Sequence, residues 1–161
     1  MLRRIAIAVL MLSLVGCYTG SRPPRVDSQA KDFTVRDSDR TVALSQFRGQ
    51  VLGLNFWATW CAPCEAELPS MIDMQQRLKT RGVTVLGVSI DVDGDAYHQF
   101  LRKRNVNFLT VRDPEQKVAE LYGTSGWPET YVIDRQGVLR RKLVGPVNWD
   151  SLEVLQFLSK L

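Results

Sequence analysis

Apolar positions along this chain come in blocks rather than in alternation. Val51 to Trp57 (VLGLNFW) is nearly continuous apolar sequence, and Val83 to Ile90 (VTVLGVSI) is another such run. Runs of this kind are expected of strands buried on both faces of a sheet. From Ala62 to about Thr80, Leu68, Met71, Ile72, Gln75 and Leu78 recur at spacings of three and four, with Gly82 just past the end. That period predicts a helix. Pro69 lies inside it and should kink it, because proline removes one backbone donor. Strand, helix, strand in this order predicts a right-handed unit with parallel strands.

The blocks continue downstream. Tyr97, Phe100 and Leu101 mark a helix from about Asp95 to Arg104, and Asn107 to Val111 reads as a short strand. In DPEQKVAELYG, Asp113 is placed to cap a helix, Pro114 to open it and Gly123 to close it. ETYVID and VLRRKLV flank Arg135, Gln136 and Gly137 and predict an antiparallel hairpin. Leu152, Leu155, Phe157 and Leu158 suggest a last helix, and DFTVRD with RTVALSQF a small hairpin upstream. The expected fold is α/β: a mixed central sheet of about five strands with helices on both faces and an N-terminal β-hairpin, in one domain over residues 31–161.

The N-terminus has a different pattern. Arg3 and Arg4 precede an apolar stretch from Ile5 to Val15, which has the charged start and short apolar core of a secretory signal and falls short of the about 20 residues a membrane span needs. The stretch ends in Leu14, Val15, Gly16 and Cys17, which resembles a bacterial lipobox. Residues 1–16 are then a signal peptide, with Cys17 as the lipidated first mature residue. Residues 17–30 read as lipidated cysteine and flexible tether, since YTGSRPPRVDSQA is rich in Gly, Ser and Pro and poor in apolar residues. Extended, it would reach about 40 Å. The domain would sit outside the cytoplasm, on the periplasmic face or the outer cell surface.

Composition fits one globular domain: 161 residues, 45% hydrophobic and 24% charged. The net charge of +4 includes Arg3 and Arg4, so the mature domain is only mildly basic. The runs Arg102–Arg104 and Arg140–Lys142 read as solvated faces, and nucleic acid is excluded as a partner.

Three cysteines remain to be explained. With Cys17 lipidated, Cys61 and Cys64 form a lone pair in an export compartment that permits disulfides. A structural zinc site needs four ligands, and the chain has no second cysteine pair and only one histidine, His98; no metal and no cofactor is expected. Haem attachment would need histidine after Cys64, where Glu65 stands. A structural disulfide across so short a loop would constrain the unfolded chain little. Redox chemistry is left. Cys61 falls at the start of the helix, where free N–H groups and the helix dipole favour thiolate, so Cys61 is the nucleophile. Cys64, one turn on, is the resolving thiol.

FWATWCAPC, followed about 60 residues later by GWPETYVID, resembles the thioredoxin superfamily. With the lipobox, the chain is similar to the TlpA/ResA group of extracytoplasmic thiol-disulfide oxidoreductases over nearly all of residues 31–161. The resemblance implies a thioredoxin-like fold with residues 91–111 as an added helix-strand insertion. It implies reduction of disulfides in exported proteins, with apocytochrome c as a candidate substrate, and a membrane thiol as electron donor. Pro128 matches the family's cis-proline, which would face Cys61 and leave backbone groups free for an extended substrate. Trp60, Ala62, Pro63 and Trp127 complete the expected substrate wall. Trp127 is bulkier than the small or branched residue usual before that proline, which bears on substrate choice. Asn55 replaces the buried Asp of thioredoxin, as is common in the TlpA/ResA group, so a proton acceptor must come from elsewhere.

Glu67 is the candidate acceptor. Three residues after Cys64, it returns to the cysteine face of the helix, where burial would raise its pKa and let it relay a proton to Cys64. The alternative for Glu67, and for Glu65, is an acid favouring the helix dipole. Asp91 to Asp95 (DVDGD) lacks the glycine position and terminal Glu of a calcium loop and reads as a loop feeding a helix cap. Two other functions stay open: a thiol peroxidase of peroxiredoxin type, for which Ala58 stands where Thr or Ser is expected, and a non-catalytic binding module. A monomer is expected.

Overall fold

The computed structural model describes residues 22–38 and 40–161, so the signal-like stretch and Cys17 lie outside the described residues. The chain runs β1 (Thr34–Arg36), β2 (Thr41–Ala43), a 3-10 turn (Leu44–Phe47), β3 (Val51–Trp57), α1 (Ala62–Leu78), β4 (Val83–Ser89), α2 (Gly94–Lys103), β5 (Leu109–Arg112), α3 (Lys117–Tyr122), β6 (Glu129–Ile133), β7 (Leu139–Val144) and α4 (Leu152–Ser159). The two long apolar runs are the two longest strands. Every residue of β3 is buried, because β3 is the middle of a five-stranded sheet of order β5-β4-β3-β6-β7.

Pairing is parallel for β3 with β4 and for β4 with β5, and antiparallel for β3 with β6 and for β6 with β7. The α/β, mixed five-stranded expectation holds, as do the antiparallel β1–β2 hairpin and the helix-strand insertion, now seen as α2 and β5. Side chains leave β3 alternately to the two faces. Leu52, Leu54 and Phe56 enter a core with Phe33, Val35, Val42, Tyr122 and Tyr131, under α3 and the hairpin. Val51 joins Met71, Met74, Leu78, Trp149 and Leu158 under α1 and α4. Trp57 meets Ala58, Cys61, Cys64, Ile90 and Tyr97 at the end of the sheet. The redox pair therefore rests on core.

Two local expectations change. The helix expected from Asp113 starts only at Lys117. Gln116 has φ 57° and its N–H donates to the Asp113 carbonyl at 2.8 Å, which closes a separate turn first. Asp113 still serves the helix: its Oδ2 accepts the Val118 N–H at 2.7 Å, satisfying a first-turn donor from further upstream. The second change is at the proposed tether. The Asp27 N–H donates to the Leu139 carbonyl at 2.7 Å and the Ala30 N–H to that of Gly137 at 2.9 Å, while Gln29 bridges Val138. Residues 27–30 thus lie along the β6–β7 hairpin. Helix α1 continues through Pro69 to Leu78.

Candidate active site

Strand β3 ends at Trp57, and helix α1 begins five residues later with Cys61 at its N-cap. The Cys64 N–H donates to Cys61 Sγ at 3.3 Å. Pro63 stands in the first turn, where its missing N–H costs nothing. Cys61 and Cys64 are joined as a disulfide, with Cα atoms 5.3 Å apart. Both are buried, Cys61 at 6% exposure and Cys64 at 3%. Exposure hardly separates them; the N–H pointing at Cys61 sulfur does. Trp60, immediately before, is 65% exposed, whereas Trp57 is buried at 4%.

The turn between strand and helix is held from the side. Asp91 is buried, and its carboxylate accepts the Thr59 N–H at 2.9 Å, the Thr59 hydroxyl at 2.6 Å and the Ser89 hydroxyl at 2.6 Å. The Cys61 N–H donates to the Ala58 carbonyl at 3.3 Å. Sequence reading passed over Asp91 as part of a loop. Its signal was present: an acid directly after the apolar run ending at Ile90.

The Trp127–Pro128 bond is cis. The Pro128 carbonyl accepts the Gly145 N–H at 2.9 Å, so it is occupied. Among the described residues, the N–H and carbonyl of Trp127 make no hydrogen bond. The Trp127 side chain is partly buried and packs against the cluster that contains Cys61 and Cys64.

Glu67 lies beneath this surface, 4% exposed. Its Oε1 accepts from Asn55 Nδ2 at 3.0 Å, and its Oε2 from the Val147 N–H at 3.0 Å and Trp149 Nε1 at 3.2 Å. Asn55 and Thr130 are directly opposed on β3 and β6, and Asn55 Nδ2 also donates to Thr130 Oγ1 at 2.9 Å. Burial pushes the Glu67 carboxyl above the ordinary carboxylate range, outweighing the opposing pull of the donors from Val147, Trp149 and Asn55. Glu65, by contrast, is partly exposed and ion-paired with Arg104, the arrangement of a surface acid in a first turn.

A second buried acid escaped the sequence reading. Glu129 follows Pro128 directly and is 2% exposed. Its Oε1 accepts from Lys142 Nζ at 2.8 Å, from Thr124 Oγ1 at 3.1 Å and from the Tyr131 hydroxyl. Burial lowers the Lys142 pKa and its hydrogen bonds to Glu129 and Tyr131 raise it, with a net rise. A charged residue opening the buried run ETYVI was the available clue.

A buried, disulfide-linked cysteine pair at a helix N-terminus beside a cis-proline defines a thioredoxin-like thiol-disulfide oxidoreductase. The chain belongs to the AhpC/TSA family, whose model matches residues 26–142. It is 31% identical to the thiol-disulfide oxidoreductase ResA of Bacillus subtilis over 129 residues, 80% of this chain and 72% of that protein. It is 30% identical to the ResA protein of Geobacillus kaustophilus over 157 residues, 93% of this chain and 90% of that one. A Chlorobium tepidum crystal structure described as a thiol:disulfide interchange protein DsbE superposes with TM-score 0.77 at 32% identity, covering 84% of this chain and 98% of that one. A secreted thiol-disulfide isomerase from Corynebacterium glutamicum gives 0.70 at 27%, covering 81% and 85%.

The buried state of Glu67 has a consequence for stability. With its folded pKa raised above the unfolded value near 4.5, Glu67 favours folding fully below that pH, and this contribution is lost as pH rises through the folded pKa. Glu67→Gln is neutral at every pH. Urea unfolding of the oxidised protein should show wild-type stability falling relative to Glu67→Gln from acid to neutral pH, on top of a constant offset from the amide facing N–H donors. Parallel pH curves would show that Glu67 titrates no higher folded than unfolded.

Proposed function

We propose that the protein is a membrane-tethered reductase of disulfides in exported proteins, with Cys61 as nucleophile, Cys64 as resolving thiol and Glu67 as proton relay. The observation that carries this reading is the Cys64 N–H directed at Cys61 Sγ. In the reduced protein the same donor and the α1 dipole favour the Cys61 thiolate. Lowering a thiol pKa from about 8.5 to about 7 corresponds to roughly 2 kcal/mol and raises the thiolate fraction at neutral pH to about half.

The reaction balances as two exchanges. The Cys61 thiolate attacks one sulfur of the substrate disulfide, forming a mixed disulfide and releasing the other sulfur as thiolate, which takes a proton from solvent. Cys64 gives its proton to Glu67 and attacks Cys61 Sγ, forming the Cys61–Cys64 disulfide and releasing the second substrate sulfur as thiolate, which takes up a proton in turn and leaves Glu67 ionised for the next cycle. The substrate gains two electrons and the enzyme loses two; a membrane dithiol donor returns them. Ala62 and Pro63 lack the histidine of strongly oxidising pairs, which favours this direction. Trp60, Ala62, Pro63, Trp127 and cis-Pro128 line the approach, the backbone groups of Trp127 pairing with the extended substrate.

Export and anchoring rest on the sequence of residues 1–17 and on the secreted character of one structural neighbour. With residues 27–30 held on the hairpin, the slack from Cys17 to Arg25 is at most about 28 Å, so the domain works close to its membrane. Labelled fatty acid should attach to the wild type and not to Cys17→Ala. Equal labelling of both would end the lipid-anchor reading.

The function itself is tested by trapping. In Cys64→Ser the first exchange remains and the second is lost, so substrates should accumulate as covalent adducts at Cys61 in the native cell envelope, while Cys61→Ser captures few. CxxCH proteins among the adducts would assign apocytochrome c as substrate, and a broad set would assign general disulfide reduction. Trapping by Cys61→Ser alone would reverse the two cysteine roles.

A further inference from the structure

The loop between β7 and α4 folds back onto α1 through one tryptophan. Trp149 is 1% exposed and sits in the core with Met71, Met74 and Leu158. It is tied to α1 twice: its backbone N–H donates to Ser70 Oγ at 3.1 Å, and its indole Nε1 donates to Glu67 Oε2 at 3.2 Å. Ser70 Oγ in turn donates to the Glu67 carbonyl at 2.8 Å, so both contacts of the tryptophan meet the turn of α1 that carries Glu67. The loop is also held at its first residue, where the Gly145 N–H donates to the carbonyl of cis-Pro128 at 2.9 Å. Between these points the Val147 N–H donates to Glu67 Oε2 at 3.0 Å.

These contacts make the two oxygens of Glu67 unequal. Oε2 accepts from two donors, Trp149 and Val147, whereas Oε1, among the described residues, accepts only from Asn55 Nδ2 at 3.0 Å. Asn55 has no second N–H to give it, because Nδ2 also donates to Thr130 Oγ1 at 2.9 Å. A carboxylate oxygen has two lone pairs, so one position on Oε1 is left. Burial raises the Glu67 pKa, and the donors that pull it back act in the order Val147, Trp149, Asn55. The surrounding elements bring no charge to the carboxyl: β3 and β6 present Asn55 and Thr130, and α1 carries Cys64 three residues back. Asp150, next in the loop, is paired with Arg77 at 2.8 Å, both partly exposed. Glu129 is bonded to Lys142 and to Tyr131, which lies in the opposite core with Phe56 and Tyr122.

We infer that Trp149 is a positioning residue for the proton relay: with the Val147 N–H it occupies Glu67 Oε2 and so reserves Oε1 as the oxygen that takes the Cys64 proton. Cys64 precedes Glu67 by three residues on α1, a spacing that puts the two side chains on one face of the helix. In the transfer the Cys64 S–H bond breaks, an O–H bond forms at Oε1, and Oε2 becomes the carbonyl oxygen of a neutral acid. That oxygen still accepts from the indole, so the carboxyl keeps one orientation in both states. The indole bond is stronger to the carboxylate than to the acid, and Trp149 therefore also sets the pH at which Glu67 is ready to accept. The proton leaves again with the second substrate sulfur. The inference rests on the proposed relay role of Glu67.

The test follows single-turnover reduction of a synthetic peptide closed by one internal disulfide, using the pre-reduced protein from acid to alkaline pH, with acid quenching and separation of the products. Wild type should show a rising limb that is absent in Glu67→Gln. Trp149→Phe removes the indole donor and keeps an aromatic ring. Its limb should move up by about one pH unit, as expected for the loss of one hydrogen bond to a charged group, with rates on the acid side of the limb about tenfold lower. A variant that is only less stable would lose rate at every pH and keep its limb in place. A second measurement needs no change at Trp149: in the oxidised wild type, the indole N–H resonance of Trp149 should shift with pH together with the carboxyl carbon resonance of Glu67, and should stay constant in Glu67→Gln. A limb unmoved in Trp149→Phe, or an indole resonance that ignores the Glu67 titration, overturns the inference and leaves the relay standing. A wild-type profile identical to that of Glu67→Gln overturns the relay, and the inference with it.

Discussion

Cys61 occupies two positions at once, the last residue of a loop and the cap of a helix, and the site's chemistry depends on that overlap. A capping side chain faces N–H groups that have no partner within the helix. Here the capping atom is sulfur, and the Cys64 N–H lies 3.3 Å from it. A neutral thiol gains little from such a donor; a thiolate gains a charge-assisted hydrogen bond and the favourable end of the dipole. The rest of the fold keeps this geometry in place. Buried β3 sets where the loop begins, Asp91 pins its middle, and Met71, Met74 and Leu78 seat α1 on the sheet.

Beneath the cysteines the sheet carries polar residues where apolar ones would be simpler. Asn55 and Thr130 face each other across β3 and β6, and Glu67 closes over them with Val147 and Trp149. Each buried polar atom in this group has a partner, so the arrangement avoids the cost of leaving donors or acceptors unpaired. What it retains is a buried carboxyl whose proton is held more tightly than in water. A group of that kind suits the proposed relay, in which Cys64 loses a proton at neutral pH.

The sequence was most informative where the information is local. Val51–Trp57 was delimited by its unbroken apolar character and is the observed strand, and the helix from Ala62 was legible from spacings of three and four. The added helix and strand appeared within a residue or two. Cys61 and Cys64 could be read because their spacing and context are contiguous. Glu67 was legible as a candidate, but its partners Val147 and Trp149 lie some 80 residues away, a distance no local pattern spans. An ion pair between Asp37 and Arg112 crosses 75 residues and was invisible for the same reason. Residues 27–30 looked like tether because the stretch they belong to is rich in Gly, Ser and Pro and poor in apolar residues; they are held through backbone hydrogen bonds, which composition does not reveal. Asp113 was identified as a helix-starting acid, yet Gln116 at φ 57° moved the start to Lys117.

The central claim is that the helix start makes Cys61, and not Cys64, the reactive thiolate. The direct measurement is the pH dependence of iodoacetamide alkylation of the fully reduced wild type, with each modified cysteine located by mass spectrometry. The account predicts that Cys61 is modified first and that its rate follows an apparent pKa well below the about 8.5 of an ordinary cysteine, with Cys64 reacting only at higher pH. Alkylation of Cys64 ahead of Cys61, or a Cys61 that titrates like a free cysteine, would contradict it.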